Sequence, residues 1–247
     1  MTEKPLDGLV AVVTGASRGI GYAAALGLAK AGAHVIATAR TEGGLTELDD
    51  EIRAATGQSA TLVPLDLKDG KGIDTLGAAI YERWGRLDIL LSNAGELGLI
   101  TPVAQLEPNT WDRTVAVNLT ANYRLIRSFD PLFRRAPAAR AIFVTTGLVP
   151  RPRAFWGPYA ASKAGLEALV RVYADEVEHT KIRAMLLDPG VIRTKMRATA
   201  FPGEDPDTLA PPEALVPLIV ELARGDREPA DLRVSYREWA AAEGRTS

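Results

Sequence analysis

L-V-A-V-V-T-G-A-S-R-G-I-G, from Leu9 to Gly21, decides the fold of this chain. Leu9 to Thr14 is a short, mostly β-branched apolar run, the pattern of a strand buried on both faces. A turn holding Gly15, Ser17, Arg18, Gly19, Ile20 and Gly21 follows at once, and an Ala/Leu-rich helical stretch then runs to about Gly32. Strand, glycine turn and helix in that order make a phosphate site. Glycine permits the tight turn and a close backbone approach, and the helix N-terminus offers unpaired N–H groups and a positive dipole end. Glycine also occurs in ordinary strand-to-helix turns, but in this context the turn points to a dinucleotide.

His34 to Ala39 is the second strand, and its end selects the nicotinamide cofactor. A carboxylate there holds the ribose 2′-OH of NAD, whereas an arginine accommodates the 2′-phosphate of NADP. The chain has Thr38-Ala39-Arg40 and no carboxylate in place. Arg18 supplies a second planar fork of donors. The expected cofactor is NADP(H) in preference to NAD(H); the competing possibility is that both arginines are solvated surface.

Further elements alternate along the chain. Helices are expected over Leu45 to Thr56, Ile73 to Trp84, most of Pro108 to Ala136, and Tyr159 to His179. Strands are expected over Ala60 to Leu65, Leu87 to Leu91, Ala141 to Thr146, Ile182 to Leu187 and near Leu232 to Ser235. This pattern predicts one α/β domain, a Rossmann-type doubly wound parallel sheet of about seven strands with helices on both faces. Gly15, Arg40, Asp66, Asn93, Thr146 and Pro189 each fall at the C-terminal end of a strand, the edge where open parallel sheets bind ligands. Asn118 lies inside a helical stretch, a poor place for Asn unless its amide has another task.

Composition narrows the function classes. The 247 residues are enough for one large core, and no linker divides them. With 29 basic and 31 acidic side chains there is no basic block to suggest nucleic acid. The absence of cysteine excludes disulfides and thiolate metal sites, and the only histidines, His34 and His179, lack ligand spacing. The N-terminus M-T-E-K-P-L-D-G has no apolar signal core and no run approaches a membrane span, so a soluble, cytoplasmic protein without a membrane partner is expected.

W-G-P-Y-A-A-S-K-A-G, Trp156 to Gly165, carries the candidate chemistry. Tyr159 and Lys163 are four apart and share a helix face. A cation about 4 Å from a phenolate is worth roughly 4 kcal/mol at an effective dielectric near 20, about three pKa units. This would carry the phenol from about 10 toward about 7, where it exchanges a proton at neutral pH. Such pairs are also common on ordinary helix surfaces.

Taken together, the chain resembles the short-chain dehydrogenase/reductase family in its compact single-domain branch, from about Leu9 to Met196. The matching pieces are T-G-A-S-R-G-I-G at Thr14 to Gly21, D-L at Asp66-Leu67, N-A-G at Asn93 to Gly95, Asn118, Y-A-A-S-K at Tyr159 to Lys163, and P-G-V-I-R-T at Pro189 to Thr194. The resemblance implies an oxidoreductase passing hydride between NADP(H) and a carbonyl or secondary alcohol. Asp66 and Leu67 would hold the adenine, and Asn93, Ala94 and Gly95 would support the cofactor. Pro189, Gly190, Ile192 and Thr194 would lie along it, the last two engaging the nicotinamide carboxamide. Tyr159 would be the general acid or base. Lys163 would lower its pKa and hold the nicotinamide ribose. Asn118 would anchor a water joining Lys163 to a proton path. The fourth catalytic member is usually a serine thirteen residues before the tyrosine, and here it is Thr146.

Two departures qualify the resemblance. Threonine keeps a hydroxyl for the substrate oxygen but adds a methyl and a stiff χ1. The closing segment reads P-A-D-L-R-V-S-Y-R-E-W instead of the family's usual T-G-Q strand and D-G-G turn. The family's habit of pairing its long helices implies a homodimer or homotetramer. A lid is expected over about 195–212, long and rich in proline and acid. Arg151 and Arg153 beside Phe155 and Trp156 either select a small-molecule carbonyl bearing an acidic group or merely solvate the surface. A dinucleotide-binding regulatory or scaffold protein that kept the fold without turnover is the competing function.

Overall fold

The computed structural model describes residues 4–226 and 231–244. The first three residues of the N-terminal segment, and Pro229 and Ala230 of the closing one, lie outside them. Seven strands, β1 (Val10–Thr14), β2 (His34–Ala39), β3 (Thr61–Pro64), β4 (Ile89–Ser92), β5 (Ala139–Val144), β6 (Ile182–Asp188) and β7 (Arg233–Ser235), form one parallel sheet in the order β3-β2-β1-β4-β5-β6-β7. The period-two pleat sends alternate side chains to opposite layers. Ala11 and Val13 of β1 enter one core, Val10 and Val12 the other. This two-sided burial is why the strands read as unbroken apolar runs.

The helices form the covering layers. On one face lie α1 (Gly19–Lys30) and α2 (Gly43–Thr56), and on the other α3 (Gly70–Trp84). The stretch expected as one long helix is α4 (Pro108–Val115), a π-turn over Ala116–Thr120, and α5 (Ala121–Phe133), and α5 joins α3. So does α6 (Gly157–Glu176). A short α7 (Lys195–Ala200) precedes α8 (Val216–Ala223) and α9 (Tyr236–Ala242), the last two returning to the face of α1. The outcome is a Rossmann-like, single-domain α/β fold.

β5 begins and ends two residues earlier than the apolar pattern suggests. Its start was hidden by Arg140, a charged residue that is 2% exposed. Its guanidinium is buried because it finds carbonyls, donating to Arg224 O at 3.0 Å and Gly225 O at 3.0 Å. At the other end Thr145 and Thr146 lie beyond the strand rather than in it. His34 is structural: its Nε2 is 2.9 Å from Thr61 Oγ1 and its ring lies 5.1 Å from that of Trp84. Burial pushes its pKa below the usual imidazole value. Among the described residues there is no cluster of three or more metal-ligating side chains, and no helix long and apolar enough to cross a membrane.

Candidate active site

The glycine turn is locked from beneath by the end of β4. Asn93 Nδ2 donates to Thr14 O at 3.0 Å, and Thr14 Oγ1 accepts from the backbone N–H of Asn93 and Ala94, both at 3.0 Å. Gly15 adopts φ +68° and Gly19 φ +57°, the left-handed region. A Cβ on Gly21 would sit 2.3 Å from Gly15 O and 2.5 Å from Asn93 Nδ2, so only glycine fits. Asn93 therefore shapes the turn. No side chain caps α1 at Arg18 and no acid occupies its first turn, which leaves the helix N-terminus open to an anion. These features fit a dinucleotide phosphate, with Ser17 and Ile20 half-buried in the turn. Thr194 comes up beside it, its Cγ2 3.5 Å from where a Gly19 Cβ would be, while its Oγ1 caps α7 by accepting from Arg197 N at 3.1 Å.

Arg40 and Arg18 are both exposed at this edge. Arg40 Nη1 donates to Glu96 Oε1 at 3.0 Å, and Glu96 Oε2 accepts from Arg113 Nε at 2.7 Å. This is an arginine–carboxylate–arginine trio with one net positive charge. Asp66 ends the β3 segment in a local turn, accepting from Lys68 N at 3.0 Å, and Leu67 is buried. Gly190 adopts φ +68° after Pro189, and Ile192 makes an isolated parallel bridge to Ala210.

Asn118 sits in the π-turn and is fully buried. Its Oδ1 accepts from Glu96 N at 2.8 Å, and its Nδ2 donates to Glu96 O at 2.8 Å and Ser162 Oγ at 3.0 Å. The amide thus has the task that its place in a helix demanded, tying the β4 loop to α6.

Tyr159 and Lys163 leave successive turns of α6. The Thr146 hydroxyl, which accepts from Leu148 N at 3.3 Å, acts on the Tyr159 phenol to lower its pKa, and Thr145 instead donates to Glu167 Oε1 at 2.7 Å. Lys163 is 3% exposed and its Nζ donates to Val144 O at 2.7 Å. The expected depression of the phenol pKa does not occur in the polypeptide by itself. Burial pushes Tyr159 up to about 12, the Thr146 bond works against this, and the Asp188 carboxylate adds to the rise. Lys163 is pushed down to about 8 by burial. The helical spacing is as expected, but the amine is spent on a strand carbonyl, so the ammonium does not govern the phenol.

A row of rings leads from the phenol to Phe201, just beyond α7. Trp156 lies 6.0 Å from Tyr159 and 5.7 Å from Phe201, and Arg197 Cζ stacks 3.7 Å over Phe201. Arg197 in turn makes a bidentate pair with Glu204 at 2.5 and 2.6 Å. Beside Trp156, Phe155 is held at φ +75° with its ring exposed, and Arg151 and Arg153 are exposed as well.

Residues 9–205 match the short chain dehydrogenase family. The chain belongs to that family. It is 36% identical to the uncharacterized oxidoreductase YciK of Escherichia coli K12, over 90% of this chain and 88% of that protein. A short chain dehydrogenase of E. coli CFT073 crystallised with NADPH superposes with a TM-score of 0.91 at 34% identity, covering 96% of this chain and 100% of that one. One from Shigella flexneri crystallised with NADP gives 0.91 at 33%, again over 96% and 100%.

In this short-chain dehydrogenase the fold brings Asn118, Thr146, Tyr159 and Lys163 together, with the glycine turn, Asn93 to Gly95 and Pro189 to Thr194 along the same sheet edge. Sequence reasoning missed Glu96, Glu167 and Arg233. Glu96 follows N-A-G directly and Glu167 stands one turn beyond Lys163, so each adjoined a motif. Arg233 carried no local signal, because its partners are 45 to 87 residues away.

Proposed function

We propose that this oxidoreductase is an NADPH-dependent carbonyl reductase in which Tyr159 is the proton donor. The observation that carries the reading is Tyr159 with the buried Lys163 one turn on along α6 and the Thr146 hydroxyl acting on the phenol, in a fold whose first turn admits only glycine at Gly21. The relatives crystallised with NADP and NADPH support the cofactor, as does Arg40 in place of an acid. Gly15, Ser17, Gly19, Ile20 and Gly21 would cradle the pyrophosphate, Arg18 and Arg40 the 2′-phosphate, Asp66 and Leu67 the adenine, and Ile192 and Thr194 the carboxamide. Bound NADPH supplies the hydride. The chain supplies the rest: Thr146 orients the substrate oxygen, Tyr159 hands it a proton, and the rings of Trp156 and Phe201 exclude water. Exposed Tyr123 and Val172, on the helices that pair in this family, support a dimer or tetramer.

A phenol held up to about 12 is protonated throughout neutral pH, the state that a proton donor in carbonyl reduction needs. Lys163 keeps its charge only below about 8. Lys163 would hold the nicotinamide ribose, so reduction is expected to be level near neutrality, and NADPH affinity to fall as pH rises past about 8. A carbonyl panel followed by loss of NADPH absorbance tests the function; no turnover of any aldehyde or ketone would favour the scaffold reading. Thr146→Ala is expected to lower turnover about 100-fold, the smaller end of what a positioned proton-transfer partner contributes. Wild-type turnover in that variant would remove Thr146 from the reaction.

A further inference from the structure

Arg233 occupies β7, in the segment where the chain departs from the family's usual closing strand. Its guanidinium reaches three separate pieces of the site. Nε donates to Glu167 Oε1 at 3.2 Å, and Nη2 donates to Thr146 O at 3.1 Å and to Asp188 Oδ2 at 2.9 Å. Thr146 carries the hydroxyl that lowers the Tyr159 phenol pKa against its burial. Asp188 ends β6 and accepts from Gly190 N at 3.1 Å, so it also shapes the loop that leads to Thr194. Glu167, one turn beyond Lys163, takes the Thr145 hydroxyl as well.

The charges around the phenol come from four directions. Lys163 lies on its own helix, with its amine turned to Val144 O. Asp188 approaches from β6 and is 8% exposed. Glu167 on α6 is shared by Arg233 and, at 3.7 Å, by Arg171. The lid's Arg197 stands beyond Phe201 and Trp156 and is paired with Glu204. Of these, the buried Asp188 carboxylate is the group that opposes ionisation of the phenol, and Arg233 is its ion-pair partner.

We propose that Arg233 is a positioning residue of this active site, holding Thr146 against Tyr159 through the Thr146 carbonyl and offsetting the Asp188 carboxylate that faces the same phenol. The inference rests on the reading of Tyr159 as proton donor. A planar fork suits the task, since it spans acceptors on β6, α6 and the β5 loop at once, where a lysine offers a single point of charge.

A charge cycle tests it in the full-length protein, with or without a known substrate. The Tyr159 signal of [13Cζ]tyrosine-labelled protein, assigned by its loss in Tyr159→Phe, is followed as pH rises. Asp188→Asn is expected to bring the onset of ionisation to lower pH by about one unit, and Arg233→Ala to delay it by about as much. The double variant, which removes both charges and also frees the Thr146 carbonyl, is expected to lie between the two single changes. An onset unmoved by either single change, or a double variant with the same onset as Arg233→Ala, overturns the proposal. Where Arg233→Ala fails to fold by circular dichroism, Arg233→Gln replaces it in the same cycle. With a carbonyl substrate in hand, Arg233→Ala is expected to lower kcat about tenfold or more at unchanged KM for NADPH, and Arg233→Lys to recover part of it. An unchanged kcat likewise overturns the proposal. Failure of every carbonyl compound would defeat the functional reading while the titration still decides this one.

Discussion

Tyr159→Phe is expected to lower NADPH-dependent carbonyl turnover by about 10²- to 10⁴-fold, the usual contribution of a positioned general acid. The change removes one oxygen and leaves the ring, so the edge contact with Trp156 at 6.0 Å and the packing of α6 persist. NADPH affinity and melting temperature are therefore expected to stay near wild type. This separates loss of chemistry from loss of fold. The measurement is steady-state turnover on the best compound of a carbonyl panel, with NADPH binding followed by fluorescence on the same preparation. Turnover that survives the mutation would take the phenol out of the reaction.

The second large effect concerns the cofactor. Arg40→Asp is expected to weaken NADPH binding about 100-fold and to leave NADH affinity level or improved. A hydrogen bond to a charged group contributes about 1.5–3 kcal/mol, or roughly 10- to 150-fold. The substitution also turns the Arg40–Glu96–Arg113 trio from one net positive charge to one net negative charge beside a phosphate dianion. Because Arg40 and Arg113 are exposed, part of the effect is expected to fade as salt is added. Titrating both cofactors into wild type and variant decides the matter. An equal loss for NADPH and NADH would mean that Arg40 supports the fold of the edge and does not read the 2′-phosphate.

Much of this molecule was legible in local rules. The run Val10–Thr14 could only be a strand buried on both faces, and β2 is found with the bounds its apolar pattern gives, His34–Ala39. Boundaries failed where a charged or hydroxylated side chain found an unusual partner. Arg140 belongs to β5 because distant carbonyls receive its guanidinium, and Thr145 leaves it for a carboxylate on α6. The long helix around Asn118 was expected without its π-turn, since period alone does not reveal a one-residue expansion.

The electrostatics followed a different rule. Spacing placed Tyr159 and Lys163 on one face correctly, yet the inferred fall in the phenol pKa came out as a rise. Burial of the phenol outweighed every other effect, and Lys163, with a long side chain, carried its amine to Val144 O on β5. The amino-acid sequence by itself determined the order of elements, the two-sided sheet, the glycine turn and the set of residues at its edge, because each follows from period, propensity and backbone freedom within a few residues. Only the tertiary structure decided where the charges end: Lys163 on β5, Glu96 between two arginines, Asp188 against Arg233. Those pairings join residues far apart in the chain, and burial sets their strength.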